Sequence, residues 1–288
     1  MARRPAPTPR SPPSNDDPEP GRLALFRWAL YARRWDVPWG GKELALGMVG
    51  WAASFALVGA VALPLTLRAV GVPNLGALSA NDKSAVLLLN QVAETVVGIG
   101  VVRCTLRDYD LPPDVLRSDP ARPLARPDGW LLWALLGVLC APVAIGTAAA
   151  ACAAAGYTGG GRGTAEGVAG LLELDPATFA SLFVVTAVLA PVLEETVFRG
   201  FLLPTLTKWL PTPAAVLLSA LAFGAAHLSP RDFPQLVAFG VLLGFAYVRS
   251  RNLLTPMLMH GAWNGTVLAV LYVLSQQGVD LQRLIEGS

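Results

Sequence analysis

Seven long apolar runs set the strongest constraint on this chain. They fall at about residues 44–66, 84–102, 129–155, 177–209, 213–228, 234–248 and 254–275. A helix rises 1.5 Å per residue, so ~20 apolar residues cross a hydrocarbon core of ~30 Å. The expected fold is therefore all-α, a polytopic transmembrane helix bundle of about seven spans. Composition agrees: 53% of residues are hydrophobic and 15% charged, against about 25% charged in a soluble domain. A net charge of +2 is too small to suggest nucleic acid as a partner.

The runs divide the chain. Residues 1–20 are rich in Pro, Arg and Ser and lack an apolar core, so they read as a disordered tail, neither signal peptide nor span. Residues 21–43 mix Arg with Trp28, Trp35 and Trp39, the composition of an amphipathic segment lying in the membrane interface. Residues 44–176 hold the first three spans and a Gly-rich connector. Residues 177–275 hold the other four, and 276–288 form a polar tail. Cys104, Cys140 and Cys152 have no metal-ligand spacing. If the N-terminus is cytoplasmic, 17 of the 22 Lys and Arg fall on that side of the seven spans. The positive-inside rule then predicts an integral protein of the plasma membrane with a cytoplasmic N-terminus.

The fourth run contains PVLEETVFRG, residues 191–200, with three charged side chains. One charge near the bilayer centre costs roughly 2.5–3.5 kcal/mol on insertion scales. Glu195 and Arg199 are four apart, share a helix face and can pair. Glu194 lies about 100° round the helix and has no such partner. A leftover intramembrane carboxylate is a functional-site candidate; the alternative is a structural charge knot. The two histidines of the chain also fall in spans. His227 follows Phe223 by four residues, and His260 precedes Asn264 by four. Pro191 is positioned to kink the fourth span and free backbone carbonyls. Glu94 with Asn90 forms a second polar pair, facing either the site or a neighbouring helix.

Two chemistries suit Glu194, His227 and His260. In one, the three hold zinc with an activated water, and Asn264 steadies the oxyanion. In the other, Glu194 is a general base, His227 helps to hold the water, and His260 with Asn264 donates to the oxyanion. Both hydrolyse an amide. Counting along the helices puts His227 about 21 Å and His260 about 9 Å below the cytoplasmic side, so the two meet only if span five is tilted or starts above the membrane, or if the span boundaries differ from these.

EETVFR, FGAAH and HGAWN, in this order on successive helices, resemble the motifs of the CPBP intramembrane proteases. This is the family of CAAX prenyl endopeptidases and bacteriocin-processing or self-immunity (Abi) proteins. The resemblance covers about residues 177–275; the first three spans carry no matching motif. It implies that Glu194 activates water with His227 as partner, that Glu195 and Arg199 support the site, and that His260 with Asn264 stabilises the transition state. It also implies a substrate that is a membrane-associated peptide or protein, prenylated in some members. The family is usually termed metallo-, which keeps zinc among the expectations. The rival readings are a non-catalytic membrane scaffold or immunity protein, and a transporter with a proton-relay carboxylate.

Overall fold

The computed structural model describes residues 27–125, 128–160, 163–169 and 175–281. The expected tail 1–20 and most of the tail 276–288 lie outside the described residues. Seven helices carry the fold: α1 Gly41–Ala69, α2 Ala80–Leu106, α3 Trp130–Ala154, α4 Pro176–Leu206, α5 Thr212–Ala226, α6 Phe233–Ser250 and α7 Leu254–Gln276. All but α5 are long and apolar enough to cross a membrane, and no strand occurs among the described residues. The protein is an all-α, integral membrane bundle.

The helix starts follow from local chemistry. Ser79 caps α2 by accepting the Asp82 N–H at 3.2 Å. Asp175 caps α4 by accepting the Thr178 N–H at 2.9 Å, with Pro176 in the first turn, where its missing N–H costs nothing. The SPRDFP break becomes the turn between α5 and α6, with Asp232 at the cap position and Pro234 in the first turn.

α4 is central, packed between α2 on one side and α7 on the other, while α6 packs against α3, α5 and α7. α4 is not a regular helix. Two π-helical stretches, Val185–Leu189 and Thr196–Leu202, flank the α-helical turn Ala190–Glu195 that holds the glutamates. Proline contributes to this: an α-register at Pro191 would need the N–H that it lacks. In the widened turn the Ala190 N–H bonds to the Val185 carbonyl, five residues back. The next bond of that register would run from residue 191 to the Thr186 carbonyl, and proline cannot make it. The expected release of a carbonyl beside the site is thus realised at Thr186.

The interfacial segment is described from residue 27 onward, and there it is not a continuous helix. It is a 3₁₀ turn, Trp28–Tyr31, followed by a strap to residue 40. Trp28 faces outward, but Trp35 and Trp39 turn into the protein. Trp39 Nε1 donates to Thr205 Oγ1 (2.8 Å) and the Trp35 N–H to Thr207 Oγ1 (3.1 Å). Trp35 stacks on Tyr247, and the Arg251 guanidinium lies over the Trp35 ring at 3.6 Å from its centroid. The composition suggested a surface belt, but an indole buries well wherever a threonine hydroxyl can take its N–H.

The depth problem resolves at the start of α7. Asn252 and Leu253 are buried beneath the loop that follows α2. The Leu253 N–H donates to the Arg117 carbonyl at 2.7 Å, and Asn252 Nδ2 to the Asp119 carbonyl at 2.6 Å. At the start of α5, Thr212 Oγ1 donates to the Arg33 carbonyl in the strap. α7 therefore begins inside the bundle, and His260 meets His227 despite the unequal counts.

Candidate active site

Three helices bring the predicted residues together. Glu194 and Glu195 come from α4, His227 from the C-terminal end of α5, and His260 with Asn264 from α7. Glu194 Oε2 stands 3.9 Å from His227 Nε2 and 3.8 Å from His260 Nε2. This oxygen is buried and accepts no direct hydrogen bond.

Each imidazole is fixed by its other nitrogen. His227 Nδ1 lies 2.9 Å from the Phe223 carbonyl, one helical turn back. A carbonyl only accepts, so Nδ1 carries the proton and Nε2 presents a lone pair in the neutral ring. His260 Nδ1 lies 2.8 Å from Glu195 Oε1, which places its proton on Nδ1 in the same way. Both Nε2 atoms therefore face Glu194.

The Glu195–Arg199 pair forms as its spacing requires: Arg199 Nη1 donates to Glu195 Oε1 at 2.9 Å, with both side chains fully buried. Arg199 Nη2 donates to the Gly240 carbonyl at 3.0 Å, and the guanidinium lies 4.4 Å from the Phe223 ring centroid. The same Phe223 ring meets His227 and His260 edge-on, at 4.7 and 5.6 Å between centroids. Glu195 thus ties the arginine to a histidine, and Phe223 is the apolar post around which the polar groups stand. Glu194 is set apart from this knot, as the helix rotation required.

Asn264 Nδ2 donates to the Thr186 carbonyl at 2.9 Å, filling the bond that Pro191 cannot make. Close approach of the helices makes this possible. A Cβ at Gly261 would collide with the Ala187 carbonyl oxygen, so α7 can rest on the backbone of α4 only there with glycine.

His227, His260 and Asn264 line a cavity of about 390 Å³, together with Trp263, Phe239 and Gln235. Thr186, Gln235 and Trp263 escaped the reading of the sequence. A glutamine directly after the SPRDFP break was the available signal, and Gln235 Oε1 is buried without a direct partner. Glu94 does not line this cavity. Asn90 Nδ2 donates to its Oε1 at 2.8 Å, and it stands opposite Gly59 of α1, as a link between helices.

The donor types of Glu194, His227 and His260 suit zinc, but their spacing does not. Zinc bonds of about 2.0–2.1 Å hold neighbouring tetrahedral donors about 3.3 Å apart. The observed separations are 3.8 and 3.9 Å, and among the described residues no three His, Cys, Asp or Glu are placed to hold a metal ion. A water does fit, since one oxygen can reach two acceptors 3.8 Å apart at about 2.8 Å each.

Comparison with known proteins places this geometry. Residues 176–266 match the family described as "Type II CAAX prenyl endopeptidase Rce1-like". This segment contains all three motifs, and the resemblance to the CPBP proteases is borne out over it. A stretch of 111 residues is 27% identical to the Bacillus subtilis (strain 168) protein named "Putative membrane peptidase YdiL", covering 37% of this chain and 46% of that protein. Another of 94 residues is 34% identical to an uncharacterized 24.3 kDa protein of Escherichia coli, covering 30% of this chain and 41% of that protein. The chain thus spans less than half the length of these curated relatives. No solved structure matches it.

Proposed function

We propose that this chain is an intramembrane endopeptidase that hydrolyses a peptide bond near a membrane-inserted or lipidated segment, CAAX-type processing included. One observation carries the reading: a buried, unpartnered carboxylate oxygen of Glu194 faces the Nε2 atoms of two imidazoles at 3.8 and 3.9 Å. Water held in that gap donates one hydrogen to Glu194 and the other to an Nε2 lone pair. As its oxygen attacks the peptide carbonyl carbon, Glu194 takes the first proton. A new C–O bond forms and the carbonyl electrons move to an oxyanion. The proton on Glu194 then passes to the amide nitrogen as the C–N bond breaks.

The oxyanion has two donors within this reading. Asn264 spends one amide hydrogen on Thr186 and has a second. His260 donates from Nε2 only as the imidazolium, because Nδ1–H is committed to Glu195. Donors held in a dry, rigid site need little reorganisation as charge develops. Glu195, Arg199 and Phe223 hold the rings and do not touch the reacting atoms.

The test compares membrane peptides from cells carrying wild type or Glu194→Gln, with the zinc content of both purified proteins measured alongside. Loss of a general base lowers turnover by about 10²–10⁴-fold, so wild-type-specific products should disappear while folding is retained. Identical peptide profiles and an unchanged phenotype would favour the scaffold reading, and proton-coupled flux in vesicles the transporter. Stoichiometric zinc that is lost in His227→Ala and His260→Ala would restore the metal chemistry.

A further inference from the structure

Most of the polar side chains that line the cavity are already engaged within the protein. Thr164 donates to Asp232, Thr186 to the Leu182 carbonyl and Asn264 to the Thr186 carbonyl. His227 and His260 are held through Nδ1 by the Phe223 carbonyl and by Glu195. Gln235 differs from these. It lines the same cavity, its Oε1 is buried, and its side-chain amide has no hydrogen-bond partner among the described residues.

The position of that amide limits what it can reach. α6 contributes Gln235, Leu236 and Phe239 to the lining. Gln235 lies four residues before Phe239, so the two share a helix face about 6 Å apart along the axis. The Phe239 ring meets His260 edge-on at 5.5 Å between centroids, and His260 Nε2 faces Glu194. An extended chain advances about 3.3 Å per residue. The offset between Gln235 and the ring that abuts His260 is therefore about two residues of extended peptide.

A polar group withdrawn from water without a hydrogen bond is destabilising, and a leucine at 235 would simply continue the apolar lining of Leu236 and Phe239. An amide adds an acceptor and two donors, the complement of the N–H and C=O of a peptide group. The last torsion of a glutamine is soft, so either amide atom can turn into the cavity.

We propose that Gln235 is a substrate-binding residue whose amide pairs with the main chain of an extended peptide about two residues from the scissile bond. Oε1 accepts a substrate N–H and Nε2 donates to a substrate carbonyl. The proposal rests on the peptidase reading. Because the contact is to main chain, it is indifferent to the substrate side chain at that position.

The test uses the full chain in liposomes and a synthetic peptide copied from the most abundant cleavage that disappears in Glu194→Gln. Variants of this peptide carry one ester in place of one amide, at each link within about three residues of the cut, and so lose single N–H donors. With wild type, the ester about two residues from the cut should lower kcat/KM roughly tenfold, as loss of one hydrogen bond to a buried partner does. Gln235→Met, similar in length and without the amide, should lower kcat/KM on the all-amide peptide about as much and lose little more on that ester. Its melting temperature should equal or exceed that of wild type, because the orphan acceptor is gone. Wild-type turnover by Gln235→Met, ester penalties unchanged from wild type at every link, or a lower melting temperature with equal losses on all peptides would overturn the proposal and leave the peptidase reading standing. Identical membrane-peptide profiles in wild type and Glu194→Gln would remove both.

Discussion

Glu195 accepts at one oxygen from both Arg199 and His260, so removing the arginine strands a carboxylate away from water. Breaking a buried pair from one side costs about 3–5 kcal/mol. Arg199→Met should therefore lower thermal stability in detergent sharply, and adding Glu195→Gln should recover part of the loss. An additive double mutant would show that the pair does not act as a unit. Arg199→Lys should not substitute well, because one ammonium cannot reach Glu195 and the Gly240 carbonyl with the fixed fork of a guanidinium. At this scale the sequence was largely legible. Four-residue spacing announced the Glu195–Arg199 pair and isolated Glu194. The Gly240 carbonyl was not legible, since any residue offers a carbonyl and only packing chooses one.

Between α4 and α7, Pro191 and Asn264 form a coupled device. Asn264→Ala leaves the Thr186 carbonyl without its donor, a cost of about 1–3 kcal/mol for a buried group. Pro191→Ala restores an N–H that can serve that carbonyl within the helix. Asn264→Ala should then destabilise less in the Pro191→Ala background than in wild type, as thermal unfolding of the four proteins would show. Equal losses in both backgrounds would disprove the coupling. Gly261→Ala should push α7 off α4, costing about 1–3 kcal/mol of stability by overpacking, with activity falling further as His260 moves from Glu194. At the start of α4, the Thr178 N–H holds the Asp175 carboxyl below the usual carboxylate range. Its stabilising effect is complete above the unfolded value of about 3.9 and fades as pH falls through the lower folded value. An acid titration of unfolding should show this loss in wild type and a flatter profile in Asp175→Asn. Helix existence and starts were readable from caps and prolines. The π-helical turns were not, because they depend on which neighbouring helix receives the released carbonyl.

Across the whole molecule, the strap before α1 ties down the end of the bundle where α4 turns into α5. Trp39 is buried at 1% exposure and bonded to Thr205 of α4. Trp39→Ala should cost about 3–5 kcal/mol and loosen that end, lowering thermal stability more than turnover at a temperature where the variant is folded. An equal fall in turnover under those conditions would mean that the strap shapes the site directly. Runs of apolar residues predicted the seven helices, yet the same composition suggested that the strap's tryptophans belong to a lipid interface. An indole suits either environment, and only the threonines of the α4–α5 end decide between them.

Sequence alone determined the membrane-spanning helical class, the isolation of Glu194 from its paired neighbours and a set of candidate site residues, because helical periodicity and the cost of intramembrane charge are local properties. Tertiary structure decided that two imidazoles from different helices meet one carboxylate, that Asn264 answers a carbonyl freed by Pro191, and that the cavity extends to Thr164 and Asp232. Those outcomes depend on the relative depth and contact of helices distant in the chain, which no single helix specifies.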